Sequence, residues 1–299
     1  MEQSTKLPTF LIIGVQKAGT TSIYNYLKQH PQVYMSPVKE TNFLERDWEN
    51  LAPEVINKNG IDTLEKYSQL FAGVKDEVAI GEASPNYLFH YESASARILR
   101  YLPDAKLIAI LRNPIERAYS DYLMHIRDAI GAGKSRTLSE QIKSRSNASF
   151  TLRKGLYYEQ LKYFFDAFGK EQVKVYLYDD FSKKPLDTIQ DLYKFIGVDD
   201  TFNPDMSKKS QVAQVPRVQF LNTLLRKQNP LRKFTASVLK NIIPLQVRQN
   251  IRSSLIDMNS TGKPSLSTEE RQELVKFYRE DILKLQDLIH KDLSSWLSI

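Results

Sequence analysis

FLIIGVQKAGTTSIYNYL, residues 10–27, decides how this chain is read. A strand-length apolar run ends at Gly14, and a loop of small residues holding one lysine follows. From Thr20 the apolar residues recur at helical spacing. A strand, a glycine turn and a helix start in succession gather backbone N–H groups and the positive end of a helix dipole around one point. That point favours an oxyanion, and the glycines allow the tight turn and the close approach. The bland alternative is a glycine turn that binds nothing.

Gly14-Val-Gln16-Lys17-Ala18-Gly19-Thr20-Thr21 resembles the phosphate loop of nucleotide hydrolases only in part. That loop needs lysine directly after its second glycine, then Ser or Thr to hold magnesium. Here Thr20 has the lysine position, and Lys17 has moved to mid-loop. A magnesium enzyme would also want a strand ending in an acid. The next strong apolar run, in LIAILRNPIERAYSDY (107–122), ends in Arg112 instead. Pro114 suits the first turn of a following helix, on which Ser120 lies. An arginine at a strand end and a hydroxyl on the next helix can grip one anion from two sides. Loop and arginine together suggest a ligand with two separated phosphates. In the bland reading, Arg112 meets a structural carboxylate and Ser120 faces solvent. Asp179 and Asp180 in VYLYDDF keep a rival open, a magnesium-dependent P-loop kinase or nucleotidase.

Apolar runs at Thr9–Val15, Leu107–Leu111 and Val173–Tyr178, with a weaker one at Val78–Ile80, read as strands. Helical spacing covers Thr20–His30, Ser93–Leu102, Pro114–Ile130, Leu152–Phe168 and Pro185–Ile196. This alternation predicts an α/β fold with a central parallel sheet flanked by helices. No repeat or Pro/Gly-rich linker divides the 299 residues, so a single domain over 1–299 is expected, with a helical C-terminal part. Ser267–Trp296 reads as a closing helix that opens on the capping box STEE.

With 41% hydrophobic and 26% charged residues the composition is that of a globular protein, and a net charge of +7 favours anionic partners. The absence of cysteine excludes disulfides, thiolate catalysis and cysteine metal sites. The apolar runs are too short to span a bilayer. The opening MEQSTKLPTF is not built like a signal peptide, so a cytoplasmic protein without a transmembrane segment is expected. Between Met206 and Ile256 lysines and arginines recur without one acid, within a basic, mostly helical segment placed at 205–265. It reads either as a solvated face or as a surface for an anionic partner. The second choice supports another rival, a non-catalytic polyanion-binding module.

The pairing of FLIIGVQKAGTTSIYNYLKQHPQV with LIAILRNPIERAYSDY resembles the sulfotransferases that use 3′-phosphoadenosine 5′-phosphosulfate (PAPS), in their heparan-sulfate-type and bacterial branch. SPVKETNFL, GEASPNYL, KGLYYEQLKYFFDAFGKEQVKVYLYDDF and FYREDILKLQDLIHKDLSSWL extend the resemblance in order. It implies a P-loop-containing sulfotransferase fold and transfer of a sulfuryl group from PAPS, as co-substrate, to an acceptor hydroxyl without a metal. Lys17 matches the lysine at the oxygen bridging phosphate and sulfate. Gln16, Ala18, Gly19, Thr20, Thr21 and Ser22 match further contacts to the donor, while Arg112 and Ser120 match the residues holding the 3′-phosphate.

By the same resemblance Glu40, in SPVKETNFL, is the general base. Other branches use histidine, which leaves His90 and His125 as rivals; His30 simply ends the first helix. Lys208, Lys209 and Arg217, in SKKSQVAQVPR, match a late loop over the adenosine phosphate. Ala83 replaces a lysine common in heparan-type enzymes, which weakens the case for a heparan-like acceptor. A glycan, a small alcohol or lipid, and a carrier-bound hydroxyacyl chain all stay open as acceptors; nucleic acid is not expected.

Overall fold

The structure is a computed structural model that describes residues 6–48, 51, 59–129, 137–144, 149–207, 215–216, 260–261 and 266–299. The apolar runs form the strands β1 (Phe10–Gly14), β2 (Val33–Met35), β3 (Ala79–Ala83), β4 (Lys106–Leu111) and β5 (Val173–Leu177). They pair in parallel as one 5-stranded sheet in the order β2-β3-β1-β4-β5. Every residue of β1 and β3 is buried, as a sheet covered on both faces requires. Edge strand β2, only three residues long, carries too short a pattern to be read from sequence.

The helices are α1 (Thr20–Leu27), α2 (Leu64–Gln69), α3 (Tyr91–Tyr101), α4 (Pro114–Ala129) and α5 (Leu138–Lys143). After them come α6 (Phe150–Arg153), α7 (Tyr157–Phe168), α8 (Tyr178–Lys183), α9 (Pro185–Ile196) and α10 (Thr268–Ile289). The Ser267–Glu270 capping box opens α10. That helix ends at Ile289, earlier than expected, because His290 adopts the left-handed conformation and Trp296 lies in a separate 3₁₀ turn, Ser294–Leu297.

The expected helix over 152–168 is two helices, and the reason is tertiary. The carbonyl of Thr151 accepts from the buried Arg117 of α4, and that of Leu152 accepts from Tyr278 OH of α10 at 2.8 Å. Asp281 of α10 then caps α7, accepting the amides of Tyr157 at 2.9 Å and Tyr158 at 3.1 Å. Competing partners for the backbone end one helix and start the next.

β1 lies between β3 and β4, and the connection from β1 to β2 runs across the sheet in the direction opposite to that from β3 to β4. The crevice outside the carboxyl ends of strands at such a reversal is where ligands sit in open α/β sheets. Residues following β1, β3 and β4 all open there. Val15 N–H donates to Ile110 O at 2.9 Å, which ties the start of the loop to β4, and the Gly14–Val15 peptide is cis. A two-residue antiparallel pair, β6 (Val215–Pro216) with β7 (Ser260–Thr261), is described within the basic segment placed at 205–265. The rest of that segment between residues 208 and 265 lies outside the described residues. No described helix is long and apolar enough to cross a membrane.

Candidate functional site

The glycine-rich loop forms the floor of the crevice. Lys17 takes φ 72° and Gly19 φ 88°, both left-handed, and they turn the chain sharply into α1. A non-glycine residue in that region stores backbone strain, a feature concentrated at ligand sites. No side chain caps the N-terminus of α1, and its first turn holds no acid. The positive end of the helix dipole there meets no acid in the first turn and suits an anion. A Cβ on Gly19 would lie 3.0 Å from the Phe181 ring and 3.3 Å from that of Tyr178, so two aromatic rings wall this side.

Arg112, at the end of β4, donates from Nη1 to Lys17 O at 3.0 Å. Its guanidinium lies over Tyr178, 5.0 Å from the ring centroid, and Tyr157 OH holds the Arg112 carbonyl at 2.9 Å. Lys17 Nζ reaches Met124 Sδ of α4 at 3.6 Å. Met124 is one turn beyond Ser120 on the same helix face. Ser120 is half-buried there. Thr20 is buried at the start of α1, whereas Thr21 is exposed and Ser22 half-buried.

Glu40 is held at the carboxyl end of β3, its N–H donating to Ala83 O at 2.8 Å and its own φ at 63°. Its Oε1 meets Lys39 Nζ at 2.7 Å. A buried network fixes this segment. Glu82 accepts from Thr41 Oγ1 at 2.7 Å, Tyr67 OH at 2.8 Å and Tyr87 OH at 3.0 Å, and from Ser84 Oγ. Burial pushes the Glu82 carboxyl above the usual range, against the pull of those hydroxyls. Ser84 and Tyr87 also accept the amides of Asn42 and Leu44 at 3.0 and 3.2 Å. The segment following Glu40 is thereby bolted to the sheet. The sequence hides this network because its partners are spread from Thr41 to Tyr87.

Among the histidines, His30 is structural: its Nε2 lies 2.8 Å from Asp199 O, and its Nδ1 accepts Gln32 N–H at 3.0 Å. His90 places Nε2 3.1 Å from Glu45 Oε1. Burial, with Arg46, Lys154 and Arg153 nearby, holds its pKa below the ordinary value despite Glu45. His125 is exposed, 3.5 Å from Asp121. Asp179 accepts Trp296 Nε1–H at 3.1 Å, and Asp180 faces Lys291 at 3.6 Å. Lys208, Lys209 and Arg217 lie outside the described residues. Lys154, for which the sequence suggested no role, reaches the loop and donates to Gln16 Oε1 at 2.7 Å.

A family model described as Sulfotransferase family matches residues 8–203, which takes in the loop, Glu40, Arg112 and Lys154. The chain belongs to the sulfotransferase family. A solved sulfotransferase from Alicyclobacillus acidocaldarius has a TM-score of 0.71 and 29% identity, covering 98% of this chain and 100% of that one. Bifunctional heparan sulfate N-deacetylase/N-sulfotransferase 3 of Homo sapiens is 25% identical over 98% of this chain and 31% of its own length. Membrane-associated sulfotransferase kil1 of Dictyostelium discoideum is 34% identical over 40% of this chain and 24% of its own length. The chain thus spans about a quarter to a third of these curated relatives. The P-loop-like sulfotransferase fold expected from the two spaced motifs is the fold observed.

Proposed function

We propose that this chain transfers a sulfuryl group from PAPS to an acceptor hydroxyl. The observation carrying this reading is the meeting of Arg112 with the Lys17 carbonyl beside an uncapped, acid-free helix N-terminus. Two cations and the loop amides suit a ligand with separated anionic groups, and Tyr178 and Phe181 wall the cradle next to Gly19. PAPS, when bound, supplies an activated sulfuryl group whose bond to the bridging oxygen breaks as a bond to the acceptor oxygen forms, in line.

Lys17 holds positive charge at the bridging oxygen, where the electron pair of the broken bond comes to rest, so its attraction grows towards the transition state. The loop residues Gln16, Ala18, Gly19, Thr20, Thr21 and Ser22 hold the 5′ side. Arg112 and Ser120 hold the 3′-phosphate and so discriminate against ATP. Glu40 takes the proton that the acceptor hydroxyl loses, and its fixed backbone suits a base that must lie within hydrogen-bond reach. His90 is the weaker base, since its Nε2 already faces Glu45. In this reading positioning and charge carry catalysis without a metal, and Asp179 and Asp180 serve packing contacts rather than magnesium.

A glycan, a small alcohol or lipid, or a carrier-bound hydroxyacyl chain supplies the hydroxyl. Melting curves with 3′-phosphoadenosine 5′-phosphate (PAP), with AMP and with ATP plus magnesium test the reading. A ligand at a hundred times its dissociation constant stabilises by about 2.7 kcal/mol. A shift with PAP that ATP does not match is expected, and sulfuryl transfer should survive EDTA. A shift with ATP plus magnesium alone would replace the reading with the kinase.

A further inference from the structure

Lys154 stands where α6 turns into α7, and that turn is anchored from three helices. Arg117 of α4 holds Thr151 O, Tyr278 OH of α10 holds Leu152 O at 2.8 Å, and Gln160 of α7 holds Arg153 O at 3.2 Å. Behind it, a Cβ on Gly155 would meet the Tyr278 ring at 2.9 Å, so this backbone packs closely. A cation on such a turn is preorganised.

Its ammonium is half-buried, and the hydrogen bond it makes is to a neutral amide, Gln16 Oε1 at 2.7 Å, with the Phe89 ring centroid 5.9 Å away. No carboxylate lies within ion-pair distance of Lys154 among the described residues. An ammonium has further donors to satisfy, and removing it from water without an anionic partner is costly. The carboxylates whose charge it feels are Asp121, Glu45 and Glu40, with Arg117 opposing, while burial pushes its pKa down. Lys154 therefore stands beside the loop residue preceding Lys17, within reach of the charge of Glu40.

We infer that Lys154 is a further catalytic residue, whose ammonium contacts the anionic oxygens of the sulfuryl group in transfer. The inference rests on the donor reading given under Proposed function. In an in-line transfer the sulfur sits between the leaving oxygen, served by Lys17, and the acceptor oxygen, served by Glu40. A cation hydrogen-bonded to Gln16, next to Lys17 in the loop, is placed to reach that sulfur. The bond from sulfur to the bridging oxygen breaks, its electron pair stays on the 5′-phosphate, and the acceptor oxygen bonds to sulfur. The acceptor proton goes to Glu40, and Lys154 keeps its own protons throughout.

PAP lacks the sulfuryl group, so comparing it with PAPS isolates the contact. Titration calorimetry with each, without acceptor, is run on the wild type, Lys154→Met and Lys154→Arg. For Lys154→Met, PAPS affinity should fall about tenfold or more, the loss of a charge-assisted hydrogen bond, while PAP affinity stays within about twofold. Lys154→Arg should recover part of the loss, and kcat should fall further in the Met variant than PAPS binding does. An equal fall for PAP and PAPS would overturn the assignment by making Lys154 a support of the loop. Unchanged binding and rate would remove it from the site. If Lys154→Met does not fold, PAP binding by the Arg variant supplies the fold control, and its ratio of PAPS to PAP affinity decides. A wild type that binds neither ligand would sink the donor reading itself, and the role of Lys154 with it.

Discussion

The guanidinium of Arg112 donates to the carbonyl of Lys17 at 3.0 Å while lying over the ring of Tyr178. The end of β4 and the loop after β1 are thus one unit, and the two most informative motifs of the sequence meet in a single hydrogen bond. That bond uses part of the planar donor fork, leaving the rest for a ligand.

Replacing Arg112 should therefore cost ligand affinity in two grades. Arg112→Lys keeps the charge and loses the fork and the stack on Tyr178. Its affinity for PAP should fall about tenfold, and that of Arg112→Ala by about 1.5–3 kcal/mol in binding free energy. AMP, which has no 3′-phosphate, is the control in the same calorimeter. An equal loss for AMP would mean that Arg112 supports the loop and does not hold the 3′-phosphate.

Lys17 is expected to act on rate more than on binding. Removing one donor aimed at developing charge typically costs a factor of about 10² to 10³ in kcat. Lys17→Ala should show a loss of that order, with PAP affinity reduced far less. Single-turnover rates beside PAP titrations separate the two effects. A loss confined to KM would place the charge on the ground state instead.

How much of this was legible in sequence depended on the range of the interaction. The strand–loop–helix start at Phe10–Leu27 and the strand end at Arg112 are local patterns, and both stand where they were expected. So does the Ser267–Glu270 capping box, a contact across one helical turn. The break at Gly155 was not legible, because Arg117, Tyr278 and Asp281 impose it from other helices. Lys154 looked like any lysine before a glycine, since only folding brings it to Gln16. His30, read as ending the first helix, lies beyond its end at Leu27, and its ring instead bonds Asp199 O across the fold and Gln32 N–H. Glu40 pairs with its neighbour Lys39 alongside its fixed backbone.

The Glu82 network should link stability to Glu40. Tyr67→Phe removes the hydroxyl 2.8 Å from Glu82 Oε2 and leaves that oxygen, among the described residues, with Tyr87 OH at 3.1 Å. A buried acceptor stripped of a partner costs about 1–3 kcal/mol, visible in denaturant midpoints. Thr41→Val removes a Glu82 partner directly beside Glu40. It should lower kcat beyond what Tyr67→Phe does at matched stability. Equal kcat in the two variants would restrict the network to packing.

Asp281 predicts a pH dependence of stability whose sign is opposite to that of an ordinary ion-paired carboxylate. Its oxygens accept the amides of Tyr157 and Tyr158, but burial outweighs those bonds and pushes its pKa from 3.8 up to about 6. The folded chain then binds this proton more tightly than the unfolded chain. The stabilisation is complete below the unfolded value, fades as pH rises through about 6, and is absent above. A rise of that size corresponds to about 3 kcal/mol at most. The Glu82 carboxyl is raised as well, so the wild-type curve alone would mix the two groups. Subtracting Asp281→Asn isolates one of them. Urea midpoints at intervals from about pH 4 to 7 should show the wild type losing its advantage over the variant as pH rises. The variant keeps an acceptor for one amide and strands the other, so a constant offset of about 1–3 kcal/mol is expected beneath that trend. A difference that does not change with pH would mean that Asp281 ionises in the folded chain as it does in the unfolded one.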